Sequence, residues 1–299
     1  MPNIYIKGVI SAILAALCWG MALVMSKGVL VSFPPIFLLL IQLVSSVVFI
    51  WSIAYFKRIE IPDFRKLKKV SSLGLFEPFL TYILVLIGLT YARASDAALL
   101  QSLESIFIVL LAALLFKEKI SRLFVFLSLV ILIGLYFSIG GNLKGLIDND
   151  IKGNLLIITG MFTAAVYVVL TSRSIAVADA IVIVAYQQTI ALVSTIVVFI
   201  GQYIIAGNAF SLPSFWAVIL AIISGIFQYA LAFTFYLNAL KHISAGLAGM
   251  FLNLVPVFGI IGAYFFLSER MEVVQIVGSV ITICALLVMS MLSSKTGER

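Results

Sequence analysis

The sequence predicts an all-α integral membrane protein of ten transmembrane helices, built as two inverted five-helix repeats. Three observations carry that prediction. The 299-residue chain is 64% hydrophobic and 10% charged, with a mean hydropathy of +1.25. Soluble domains hold about 45–50% apolar and about 25% charged residues. Residues 74–118 and 225–269 align without a gap at a constant offset of 151: Gly74 falls on Gly225, Phe76 on Phe227, Leu89 on Leu240, Leu103 on Leu254, Phe107 on Phe258, Ala112 on Ala263 and Glu118 on Glu269. An offset of 146 aligns earlier segments, with Ser26 on Ser172, Lys27 opposite Arg173, Gln42 on Gln188 and Val47 on Val193. Finally, each half holds five apolar runs, and an odd number of crossings turns the second copy upside down relative to the first.

A spanning helix needs about 20 mostly apolar residues. The first run, 7–31, resembles a signal peptide in having Lys7 and the small residues Ala15 and Ala16. Its uncharged stretch from Gly8 to Ser26 is too long for a typical signal core, and Leu17 spoils a cleavage site or lipobox before Cys18, so it is a retained helix. Pro34-Pro35 precedes the second helix, 36–56. Pro62-Asp63 and a basic loop at 57–69 lead to the third, 70–92, followed by 94–116 and 122–141. A polar stretch from Asn142 to Asn154 joins the repeats, which divide as 1–145 and 146–299. The second half repeats the pattern at 153–173, 179–205, 214–239, 244–267 and 272–292, with Gly207-Asn208 and Pro213 marking one loop. In hydrocarbon, backbone groups must be satisfied internally, which leaves helices or a closed barrel. Run length and the absence of two-residue alternation favour helices.

The net charge of +7 reads as a membrane-orientation signal, because no basic stretch is interleaved with aromatics as nucleic-acid binding requires. With both termini cytoplasmic, five of the 19 basic residues fall outside: Lys27, Arg93, Lys144, Lys152 and Arg270. The remaining fourteen lie inside, most of the bias coming from 57–69. Cys18 and Cys284 both sit in apolar runs, so no disulfide framework is expected.

Several short motifs recur in order: Ala15 through Gly20 followed by Lys27; Ala97-Ala98-Leu99-Leu100 through Leu103-Glu104; Lys117-Glu118-Lys119; Ala239 through Ala245; Leu254-Val255-Pro256-Val257-Phe258; Leu267-Ser268-Glu269-Arg270. Their order, spacing and duplication resemble the EamA-type branch of the drug/metabolite transporter superfamily over nearly the whole chain. The resemblance implies a ten-helix transporter of the bacterial inner membrane, often an exporter of amino acids or related metabolites. Two positions depart from the family pattern. Ser105 stands where the family commonly has proline, a residue kept at Pro256, and Gln42 stands where the second helix often carries arginine.

The residues themselves suggest where chemistry would occur. Glu77, ahead of Pro78, lies about a third of the way into the third helix, and its repeat counterpart is Gln228. A charge in the bilayer core costs about 2.5–3.5 kcal/mol on insertion scales, so such a residue is a candidate for a proton or an ammonium group. A hydrogen bond to a neighbouring helix is the alternative. Glu104 shares a helical stripe with Ala97, Gln101 and Ile108, and its counterpart is Val255. Gln101 therefore joins the candidate list. Asp96 can instead serve the helix dipole or pair with Arg93. In the second half Gly246, Gly249, Asn253 and Pro256 follow one face of the ninth helix, where Asn253 can bond a substrate or a helix. Gln42 and Gln188 are repeat equivalents suited to a cavity wall or a packing seam, and Gln228 is open to either role as well. Trp19, Tyr82, Phe227, Phe233 and Tyr236 can stack on a planar substrate or simply pack. Trp51, Tyr55 and Phe56 read as an interfacial belt. Glu118 and Glu269 read as anchors of helix-end turns. His242, the sole histidine, cannot make a metal cluster.

The expected function is secondary transport of small metabolites by alternating access, proton coupling through Glu77 or Glu104 being open. Helices 1–4 and 6–9 are expected to enclose the cavity while helices 5 and 10 brace it. Amino acids or related amines are the leading substrates; nucleotide- or vitamin-derived metabolites such as S-adenosylmethionine or riboflavin stay open. A membrane-embedded enzyme and a non-transporting scaffold are the competing classes. No HExxH, GxSxG or P-loop is present to support an enzyme or ATP-driven movement. No cofactor or metal is expected. The partners are a small-molecule substrate and the lipid bilayer, without nucleic acid, for a monomer or weak homodimer.

Overall fold

The computed structural model describes residues 2–116, 122–138, 150–172, 178–206, 213–243, 248 and 251–296. Among them every regular element is helical. The first half comprises α1 (Pro2–Val29), α2 (Pro35–Phe56), α3 (Phe64–Ser72), α4 (Thr81–Tyr91), α5 (Ala94–Leu100), α6 (Leu103–Phe116) and α7 (Arg122–Ser138). The second comprises α8 (Asp150–Ser172), α9 (Ala180–Ala206), α10 (Phe215–Gly225), α11 (Ala232–Leu240), α12 (Val255–Leu267) and α13 (Val273–Thr296). Short irregular segments join α3 to α4 into the third span and α10 to α11 into the eighth. Seven helical stretches are long and apolar enough to cross a membrane, and 122–138, 255–267 and 273–288 add three shorter apolar helices. These are the ten spans of the two inverted repeats.

Two boundaries differ from the sequence expectation. The stretch from Phe64 onward, expected as loop, is helical: Asp63 accepts a hydrogen bond from the Arg65 backbone N–H at 3.1 Å and caps α3. Its basic charge hid an amphipathic period, with Leu67 and Val70 buried beneath α9 while Lys66, Lys68 and Lys69 face outward. The fourth span is broken by a turn at Gln101-Ser102 between α5 and α6. Lys117, Glu118, Lys119, Lys144, Arg173, Gly207, Asn208, Ser244, Ala245, Gly246 and Gly249 lie outside the described residues.

Packing interleaves the two halves. α1 lies against α11 and α12, and α8, its repeat equivalent, lies against α4 and α6. α2 pairs with α9, and α7 with α13. Close approach needs small residues: a Cβ at Gly88 would lie 2.7 Å from the Gly153 carbonyl oxygen, and a Cβ at Gly153 would lie 2.7 Å from that of Gly88. The apolar exterior completes the membrane reading. Leu114, Val197 and Phe265 are 76%, 65% and 73% exposed, a surface suited to acyl chains.

Candidate functional site

The third span breaks at Glu77. Its backbone adopts φ −140° and ψ 125° between two helical segments, and the peptide bond to Pro78 is cis. Proline disfavours helical geometry in the residue before it, which accounts for the extended conformation. The chain recovers through a wide turn over Phe76–Leu80, where the Phe76 carbonyl accepts the Thr81 N–H and the Thr81 hydroxyl, the latter at 3.0 Å. Thr81 Oγ1 also lies 2.8 Å from Thr163 Oγ1 on α8. The irregular backbone is therefore satisfied by protein rather than exposed to lipid. The matching segment of the second half, Ile226–Leu231, forms a similar wide turn without a break, since Tyr229 replaces the proline.

Glu77 opens onto a narrow cavity of about 40 Å³ between the repeats. Its wall also includes Trp19 from α1, Tyr82 from α4, and Gln101, Glu104 and Ser105 from the fourth span. The second half contributes Met161, Tyr167 and Val168 from α8, Phe233 and Tyr236 from α11, and Leu252, Asn253 and Val255 from the ninth span. Such a volume admits water but no metabolite, so a substrate must part the walls. Glu77 is 6% exposed, and Glu104 is half-buried in the first turn of α6. The two carboxylates lie within each other's electrostatic reach. Among the described residues neither accepts a hydrogen bond or pairs with a basic side chain. Trp19 stands edge-on to Phe233 and Tyr236, with ring centroids 5.2 and 5.5 Å apart, and Tyr167 packs against Phe233 at 5.9 Å.

The cavity thus gathers Glu77, Glu104, Gln101, Asn253, Trp19 and Tyr82. Gln42, Gln188 and Gln228 stand outside its wall, in a buried hydrogen-bonded seam. Gln42 donates to Ser26 and Ser224, both at 2.8 Å, and accepts from the Tyr229 hydroxyl at 3.4 Å. Gln188 donates to the Tyr229 carbonyl at 2.6 Å and accepts from Ser46. Gln228 donates to the Tyr82 hydroxyl at 2.8 Å. Of the two roles open to Gln42 and Gln188, the structure places both side chains in a packing seam. Among the described residues neither helix 2 nor helix 7 contributes to the wall of this cavity.

The remaining candidates hold the ends of the bundle. Glu269 accepts hydrogen bonds from the Ala94 and Ser95 backbone N–H groups at 3.0 and 3.1 Å and from the Ser95 hydroxyl at 2.7 Å. Arg93 pairs with Glu269 at 3.9 Å and donates to the Arg270 carbonyl at 2.8 Å. Asp96 is buried near the start of α5. Lys27 donates to the Leu89 and Ala92 carbonyls, each at 2.7 Å, capping α4. At the opposite end Lys241 lies 3.9 Å from Asp179, and His242 Nδ1 is 2.7 Å from the Asn238 carbonyl. Tyr55 and Phe56 are exposed as an interfacial belt requires, but Trp51 is half-buried and donates to Thr189 on α9 at 3.0 Å. Its pattern of apolar neighbours looks the same in sequence whether it faces lipid or a helix.

Sequence reasoning missed Tyr167 and Met161. The offset of 146 places Trp19 on Ala165, two residues before Tyr167, so searching near the repeat image of Trp19 would have found the tyrosine.

A family model described as the EamA-like transporter family matches residues 6–140 and 151–291. The chain is 26% identical over 230 residues to the uncharacterized transporter YyaM of Bacillus subtilis (strain 168), covering 73% of this chain and 71% of that protein. A solved crystal structure of a protein 17% identical in sequence superposes with a TM-score of 0.70 over 99% of both chains. At that identity the likeness concerns the fold alone.

Proposed function

We infer, for a chain that belongs to the EamA-like transporter family, that it carries small metabolites, amino acids or related amines, across the bacterial inner membrane by alternating access. The observation that carries this reading is the central cavity. Two carboxylates without a basic partner among the described residues face one space between the halves. Intramembrane ionisable residues of this kind mark substrate and ion pathways. Division into repeats at 1–145 and 146–299 supplies two inverted units that rock about that space. Both termini face the cytoplasm, which places Arg93 and Glu269 at the outer end and Lys241 and Asp179 at the inner. Protons exchange at Glu77 or Glu104, and the chain works as a monomer or weak homodimer without catalysis of its own.

Counter-flow in proteoliposomes tests the reading. Vesicles preloaded with unlabelled metabolite should accumulate the labelled compound transiently and saturably. Metabolite turnover without translocation, or non-saturating flux, would replace the carrier with an enzyme or a channel.

A further inference from the structure

We propose that the central cavity selects a small organic ammonium ion that carries no carboxylate. This rests on the transporter reading and narrows its substrate class. Among the described residues, the cavity wall holds Glu77 and Glu104 and no lysine, arginine or histidine. An ammonium group entering between the carboxylates gains charge-assisted hydrogen bonds that no described residue supplies. With the two acids ionised, a substrate carboxylate would meet two like charges and, among the described wall residues, no cation, only neutral donors such as Trp19, Gln101 and Asn253, an arrangement that costs several kcal/mol. Gln42 is held in the seam with Ser26 and Ser224, away from the wall.

Independent features fit the rest of the ligand. Trp19, Tyr82, Tyr167, Phe233 and Tyr236 surround the acids with aromatic rings, and ring faces attract a desolvated cation. Tyr236 is 2% exposed, and its hydroxyl has no hydrogen-bond partner among the described residues; the same holds for Trp19 Nε1. The indole N–H can only donate, so it calls for an acceptor on the ligand, which in a molecule without a carboxylate is a hydroxyl or an amide oxygen. The ligand is thus an amine, compact and cationic, with an aromatic or neutral polar body.

Matched pairs differing only in the carboxylate test this: tyramine against tyrosine and tryptamine against tryptophan. Equilibrium binding to the full-length protein in nanodiscs should favour the amine of at least one pair by about tenfold or more. Glu77→Gln and Glu104→Gln should each weaken that amine by a similar factor while elution volume and melting stay close to wild type. If one variant fails to fold, the other and the matched pairs still decide. Equal or tighter binding of the amino acids, binding of no amine, or amine binding indifferent to both substitutions would overturn the proposal. Counter-flow of the same pairs separates the two claims. Tyrosine flux without tyramine flux would sink the ligand class and keep the carrier; tyramine binding without flux would keep the ligand class and sink the carrier.

Discussion

Glu269 reaches from the end of the ninth span to Ser95 at the start of the fourth, accepting the serine hydroxyl at 2.7 Å and its backbone N–H at 3.1 Å. One carboxylate thereby satisfies the first free N–H groups of α5 and ties the two repeats together at one end. Its side chain is only 13% exposed, so water offers little replacement. Glu269→Gln should lower stability by about 1–3 kcal/mol, through loss of a charged cap and of the Arg93 pair. Ser95→Ala, which keeps both backbone bonds, should cost less. Thermal melting of the purified variants checks the order, and a larger loss for Ser95→Ala would contradict the cap.

Gly88 and Gly153 meet backbone to backbone where α4 crosses α8, and neither has room for a methyl group. Gly88→Val should destabilise by about 1–3 kcal/mol through overpacking, with Gly153→Val doing the same. Gly201 on α9 has nothing within 4 Å of a Cβ built there. Gly201→Ala should be neutral or up to about 1 kcal/mol stabilising, since alanine is the better helix former. Melting temperatures that fall equally for all three would show that the crossing is not tight.

The spans were legible because length and hydropathy alone mark a helix in lipid, and their odd count in each repeat made inversion readable. Helix breaks were less so. Pro78 announced the one at Glu77, whereas the turn at Gln101-Ser102 has no proline or glycine to mark it. The helical stripe still brought Gln101 and Glu104 to the same cavity, because the turn between α5 and α6 preserves their common direction. Symmetry left a choice open where the copies diverge. Gln42 and Gln188 suit a cavity wall or a packing seam in sequence, and Tyr229, standing where the first copy has Pro78, draws both into hydrogen bonds within the seam.

That seam makes a prediction that separates structure from binding. Gln42→Ala leaves the Ser26 and Ser224 hydroxyls and the Tyr229 hydroxyl short of a buried partner, at a cost of about 1–3 kcal/mol. Because Gln42 does not line the cavity, affinity for a bound amine should change little. Asn253→Ala should show the reverse pattern. Asn253 lines the cavity, and among the described residues its only helix bond is a long one, 3.5 Å to the Leu286 carbonyl. Melting and binding measured on the same two proteins give the comparison; a weakened affinity in Gln42→Ala alone would move the site into the seam.

Glu77 and Glu104 set the expected pH response. A proton and an ammonium group compete for the same oxygens, and no described basic side chain competes with either. The other ionisable groups that face them are the hydroxyls of Tyr82, Tyr167 and Tyr236 on the cavity wall and of Tyr229 behind it. Amine binding should therefore weaken as pH falls, because protonation removes the charge that holds the cation. Replacing one acid by glutamine should leave a shallower dependence carried by the other. The double variant Glu77→Gln/Glu104→Gln should bind weakly and without regard to pH. Titrating the affinity of each protein across the neutral and mildly acidic range measures all three slopes. A double variant that kept the wild-type slope would place the titrating group elsewhere and remove these two carboxylates from the coupling scheme.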